Sequence, residues 1–133
     1  MAQKPAGFRW IRRTLRPVGA DASAAVTDSM VAKGTKGVLH SIAIDYTSQP
    51  ATTDVTIVDA AGRTVFTRAN SSTDIALSPT ARTGVDETGA ATAGVDQPGL
   101  PYSGGLVISV AQADGQTTGD ETVVVEMLLY CNS

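Results

Sequence analysis

The sequence predicts an all-β protein: an antiparallel β-sandwich or jelly-roll-like domain carrying an extended basic N-terminal arm. Three observations lead there. Several stretches alternate apolar and polar residues with period two, the signature of a half-buried strand. Small turn residues punctuate those stretches, and no helical periodicity follows Pro17. Charged residues make up only 17% of the chain, and Thr, Ser, Ala and Gly take their place. That composition favours short strands over surface helices, which normally carry many Glu and Lys.

A chain of 133 residues makes one domain plus at most an appendage, large enough to bury a core without metal or disulfide. The expected division is an arm and flexible bridge over residues 1–25 and a sandwich over 26–133. A long Gly/Pro-rich loop at 78–105 interrupts the sandwich.

The arm is set apart by charge. Lys4, Arg9, Arg12, Arg13 and Arg16 supply five of the ten basic residues, and no acid precedes Asp21. The remainder carries five bases against thirteen acids. Phe8, Trp10, Ile11 and Leu15 are interleaved with the arginines, and Trp10 is the only tryptophan. The i, i+3, i+7 spacing of Phe8, Ile11 and Leu15 suits one helical face, while an extended course would point Phe8 and Trp10 together. A helix of one or two turns is marginal in water, so the arm is expected to order on docking. Val18 to Ala25 are small residues suited to a bridge.

In the domain, Val38, His40, Ile42, Ile44 and Tyr46 alternate with Leu39, Ser41, Ala43 and Asp45. Thr52 to Asp59 repeats the alternation, and Ala60-Ala61-Gly62 turns the chain into Arg63 to Arg68 as a hairpin. Ile75 to Leu77 suggests a brief strand. Residues 78–105 hold Pro79, Pro98, Pro101 and six glycines, and so long a loop is usually functional or ordered by a partner. Leu106 to Ala113 and Glu121 to Tyr130 supply the last strands. Val124, Leu128 and Tyr130 interrupt the polar face of the final strand, marking it as central or covered by a second subunit.

The chemistry of catalysis is not legible. His40 is the only histidine and Cys131 the only cysteine, so neither a Ser-His-Asp triad nor a zinc site has its ligands. His40 reads as a hydrogen-bonded, partly buried strand residue and Cys131 as an inert tail thiol. Asp114, Asp120 and Glu121 flank a Gly-containing turn at no calcium-loop spacing and read as solvated turn acids. Asp54 and Asp59 are placed to cap the strand between them. Gly84, Gly89 and Gly94 lack the Lys-Ser or Lys-Thr of a phosphate cradle. No enzyme, cofactor, metal or small-molecule substrate is expected. There is no run of eighteen apolar residues and no apolar segment behind the basic N-terminus, so neither a membrane span nor a secretory signal is expected.

Binding therefore falls to the arm. Trp and Arg are enriched where interface energy concentrates, which selects Phe8, Arg9, Trp10, Ile11, Arg12, Arg13, Leu15 and Arg16. A nucleic acid would be repelled by the acidic domain behind, and a membrane needs a longer amphipathic helix. An acidic protein surface suits both parts. Folding back on its own domain, or across a sister copy, is the other course open to the arm. Val124, Leu128 and Tyr130 are candidates for an oligomer interface.

Four phrases, Gly-Val-Leu-His-Ser-Ile-Ala-Ile-Asp-Tyr (37–46), Ala-Thr-Thr-Asp-Val-Thr-Ile (51–57), Gly-Arg-Thr-Val-Phe-Thr (62–67) and Ser-Gly-Gly-Leu-Val-Ile-Ser-Val-Ala-Gln-Ala-Asp (103–114), resemble the capsid decoration, or cement, proteins of tailed bacteriophages. The resemblance spans about two thirds of the chain and leaves out the arm. It implies a β-rich homotrimer made in the host cytoplasm, seated on the outer capsid surface of the virion and bound to the major capsid protein. It supplies no site residue. A head–tail connector or tail subunit, and a head-surface module binding host glycans, are the alternatives.

Overall fold

The computed structural model describes residues 7–82 and 96–132. Among these are eleven strands and no helix: β1 (Gly7–Leu15), β2 (Ala24–Thr27), β3 (Lys36–Thr47), β4 (Asp54–Asp59), β5 (Thr64–Arg68), β6 (Ile75–Leu77), β7 (Thr80–Arg82), β8 (Asp96–Pro98), β9 (Leu100–Ser103), β10 (Leu106–Ala113) and β11 (Thr122–Asn132). All pairings are antiparallel. One sheet runs β1-β11-β3-β6, with β9 on the same edge of β3 as β6, and the other runs β2-β10-β4-β5. β7 and β8 form a separate ribbon.

The pairs nest. β4 pairs with β5, β3 with β6, β2 with β10 and β1 with β11, as in one long hairpin whose limbs are rolled up. Successive pairs alternate between the sheets, and the contacts β11–β3 and β10–β4 complete each one. Leu39, Ile42 and Ile44 of β3 and Val123, Val125, Met127 and Leu129 of β11 are buried in one cluster with Val55 and Ile57 of β4 and Leu106, Ile108 and Val110 of β10. The two sheets thus share a core, an arrangement consistent with a β-sandwich. Each fully buried aliphatic side chain contributes about 1.5–3 kcal/mol relative to exposure.

Four expectations differ from what the structure shows. Gly7–Leu15, read as an arm that orders on docking, is an edge strand of the first sheet, in register with β11 from Gly7 opposite Cys131 to Leu15 opposite Val123. The reason lies in its odd-numbered positions: Ile11 packs against the core and Leu15 is 2% exposed. The Phe8, Ile11, Leu15 spacing that suits a helix places Phe8 on the opposite face of a strand. The division at residue 25 also moves. Val18 bridges to Ala25, and Ala24, with which β2 begins, is buried.

The alternation along β3 is broken once. Leu129 of β11 faces Leu39 while Leu128 faces Ser41, so His40 is an extra residue in a β-bulge. Every residue before the bulge changes face. Leu39 points into the core and Val38 and His40 turn outward, contrary to the unbroken alternation. The approach of β3 to β11 is tight just upstream, where a side chain on Gly37 would strike the Tyr130 carbonyl.

Residues 78–105, read as one loop, contain β7, β8 and β9. β9 extends the first sheet, and its Tyr102 is buried with its hydroxyl 2.9 Å from Thr35 Oγ1. The triplet Gly84, Gly89 and Gly94 lies outside the described residues.

Candidate docking face

Cross-strand neighbours share a face of a sheet, so the register β1–β11–β3 defines what the first sheet turns away from the core. Phe8 stands opposite Tyr130, Trp10 opposite Leu128, Arg12 opposite Glu126 and Thr14 opposite Val124. On the far side of β11, Tyr130 faces Val38, Leu128 faces Ser41, Glu126 faces Ala43 and Val124 faces Asp45. Ala43 in turn faces Ala76 of β6. Phe8, Trp10 and Arg12 from the segment read as an arm, and Val124, Leu128 and Tyr130 selected as an oligomer interface, thus meet on one surface.

Its centre is aromatic. Phe8 is 63% exposed, Trp10 69% and Tyr130 43%. The Phe8 ring meets Tyr130 edge-on at 5.0 Å between centroids, and meets His40 at 5.7 Å with the planes 86° apart. Such contacts are worth about 0.5–1.5 kcal/mol beyond area burial and hold the rings in place. The bulge supplies the third member of the cluster by turning His40 outward.

Beside the cluster runs a groove of about 420 Å³. Trp10 of β1 and Leu77 and Ser78 at the end of β6 line it together with the small residues Ser41, Ala43 and Ala76. Glu126 lines it too, its Oε1 lying 3.4 Å from Arg12 Nε.

The remaining sequence-predicted site residues go elsewhere. Leu15 is a core residue and Ile11 packs on the core, so neither offers a surface to a partner. Arg13 reaches round the edge of the sheet, its Nε 3.7 Å from Asp28 Oδ2. Arg16 Nη1 donates to the Gly119 carbonyl at 2.8 Å and ties the end of β1 to the β10–β11 turn. Arg9 is exposed.

Two of the acids weighed as cation ligands, Glu121 and Asp114, are engaged within the fold. Glu121, expected to be solvated, is buried. Its carboxylate accepts hydrogen bonds from the Thr118 N–H at 3.0 Å, the Gly119 N–H at 3.1 Å, and the hydroxyls of Thr117 and Thr118 at 2.9 and 3.0 Å. The backbone donor of Thr118 does most to lower its pKa to about 2, against the opposing effect of burial. Asp114 accepts the Ala22 N–H at 3.0 Å. Burial alone would raise the Asp59 pKa, but donors from Arg63 and the Ser103 N–H hold it below its ordinary value. Asp54 accepts the Asn70 N–H at 2.9 Å, so both acids flanking β4 fix turns. Among the described residues no group of three or more His, Cys, Asp or Glu could hold a metal ion.

Sequence reasoning missed His40, Ser41, Ala43, Ala76 and Glu126 as parts of the surface. Glu126 carried a signal in the alternation of Val124, Leu128 and Tyr130, and Ser41 and Ala43 carried one in their alternation with Ile42 and Ile44. His40 depended on the bulge, and Ala76 on which strand lies beside β3. No protein-family model matches the chain, and no curated protein matches it either.

Proposed function

We propose that the protein is a structural component of a tailed-bacteriophage virion, one that decorates the outer capsid surface and stabilises the shell by bridging major capsid proteins. The observation that carries this reading is the docking face: three exposed aromatic rings, Phe8, Trp10 and Tyr130, carried on one sheet face with Arg12 beside them. Aromatic and Arg side chains dominate interface energetics when a partner excludes water from them. A cement protein performs no catalysis and needs such a face, and repetition over a shell multiplies weak contacts by avidity.

Two further points support it. The phrases that resemble decoration proteins fall mainly in β3, β4, β5 and β10, of which β3, β4 and β10 supply buried core residues. The nested pairing, with β7 to β9 set aside as an insertion, favours a jelly roll, an architecture used by viral capsid domains. Fold alone does not carry function, so the weight rests on the face. Val124, Leu128 and Tyr130 share that face with Trp10, so in this reading one continuous surface serves the capsid and the homotrimer's contacts lie beside it.

The test is reconstitution on capsids stripped of this protein. The double variant Phe8→Ser, Trp10→Ser should retain its melting temperature within a few degrees and lose most capsid occupancy. Undiminished occupancy would overturn the reading.

The groove favours a second reading, binding of a host glycan. An indole wall beside a carboxylate, a guanidinium and two serine hydroxyls offers a stacking surface with donors and acceptors for a sugar ring. Quenching of Trp10 fluorescence by simple hexoses, abolished by Glu126→Ala, would establish it; no response across a glycan array would exclude it.

A further inference from the structure

β1 is the longest strand that ends either sheet, nine residues with β11 on one side. Among the described residues, no strand pairs with its other edge. An edge of this kind presents alternate N–H and C=O groups ready to bond another chain. Proteins blunt such edges with charge, and here Arg9, Arg12 and Arg13 lie along it, with Arg16 just beyond.

The arginines do more than blunt it; they select. Glu126 and Asp28 are the acids paired with them, which leaves four positive charges against two negative. A second copy adding antiparallel about Ile11 would set Arg9 against Arg13 twice, and like charges directly opposite are destabilising. The other strands that end the sheets, β2, β5, β6 and β9, contain no Asp or Glu between them, so another copy has no acidic edge to offer.

We infer that β1 accepts an extended acidic segment of a partner protein as an added strand of the first sheet. Main-chain hydrogen bonds would supply affinity and side chains at alternate positions specificity. Acids at every second residue would lie across from Arg9 and Arg13. The intervening residues, apolar, would extend the surface of Phe8 and Trp10. This rests on the reading that the protein docks through this face, and it names the chemistry of the partner: an acidic, strand-forming segment.

The test uses the full chain and a ten-residue peptide alternating Glu with Val. Two control peptides carry Lys for Glu, or Pro at two central positions. Trp10, the only tryptophan, reports binding, and amide hydrogen exchange of Phe8 to Thr14 reports whether the edge is bonded. The acidic peptide should bind, slow exchange along β1 at least tenfold at saturation, and weaken several-fold when salt rises from about 50 mM to about 500 mM. Arg9→Glu should reduce its affinity up to about fivefold and improve that of the Lys peptide. The inference is overturned if the acidic peptide does not bind, if the Pro peptide binds equally well, or if binding leaves β1 exchange unchanged. None of those results touches the capsid assay: loss of occupancy in Phe8→Ser, Trp10→Ser together with a silent peptide would retain the docking face and remove the added strand.

Discussion

The outer faces of the two sheets are built on the same scaffold and differ in chemistry. Across the second sheet, Thr27, Ser109, Thr56 and Thr67 stand in one cross-strand row, with Thr27 Oγ1 3.3 Å from Ser109 Oγ. Across the first, the corresponding positions hold Phe8, Tyr130 and Val38, and beside them Trp10, Leu128 and Ser41. A row of β-branched residues and hydroxyls is what a solvated sheet face asks for. Exposed Phe and Trp add nothing to a sheet that faces water and invite aggregation. The contrast shows that aromatic exposure is not needed by this fold, which is why the first face and not the second is the one proposed to dock.

The largest effect should come from the core beneath β1. Leu15 anchors β1 to the core, so Leu15→Ala should destabilise the protein by about 2–5 kcal/mol and release the strand that carries Phe8 and Trp10. Denaturant melts would measure the loss, and β1 amides should then exchange ahead of those in β10. A loss below about 1 kcal/mol would mean that β1 is not part of the cooperative unit.

Acid should act next. The Glu121 carboxylate is held at about 2, below its ordinary 4.5, so its hydrogen bonds contribute full stability above pH 4.5. That contribution is lost as the pH falls from 4.5 through about 2. Glu121→Gln should lower the melting temperature at neutral pH and flatten its decline over that window; a parallel decline in both proteins would contradict the assignment. Because Arg16 holds the same turn through Gly119, capsid binding should weaken over the same range.

Matched surface changes on the two faces should differ in effect. Thr27→Ala with Thr67→Ala should leave capsid occupancy unchanged and alter stability by at most about 1 kcal/mol, whereas Phe8→Ser with Trp10→Ser should abolish most occupancy. Equal effects from the two pairs would erase the distinction between the faces. The smallest effect belongs to Arg12→Ala, since the exposed Arg12–Glu126 pair contributes about 0–1 kcal/mol. Melting with and without high salt should scarcely separate it from the parent chain.

Several elements were legible without a structure because a strand's faces are written in alternate residues. β4 and β11 follow their alternation, whereas β5 is broken by an extra residue at Val65 and β10 between Val110 and Ala113; Asp54 and Asp59 do fix the turns around β4. Where reading failed, the cause was a contact distant in sequence. β1 interleaves its apolar residues with three arginines and shows no clean alternation, so by itself it does not read as a strand; its partner β11 lies more than a hundred residues away. β9, with Pro101 and two glycines after it, reads as a turn until Tyr102 finds Thr35. Glu121 looks like any turn acid until Thr117, Thr118 and Gly119 close around it.

Composition and period-two patterning were enough to determine an all-β chain, the course of its principal strands and the concentration of Phe, Trp and Arg near the N-terminus. Those properties are local, set by which residues tolerate an extended backbone and which prefer water. Only the tertiary structure decided that the N-terminal segment is an edge strand, that the bulge at His40 turns Val38 outward, and that Phe8, Trp10, Leu128 and Tyr130 share one face. Register between strands is decided by side chains packing across the sheet and into the core, and a shift of one residue exchanges the two faces.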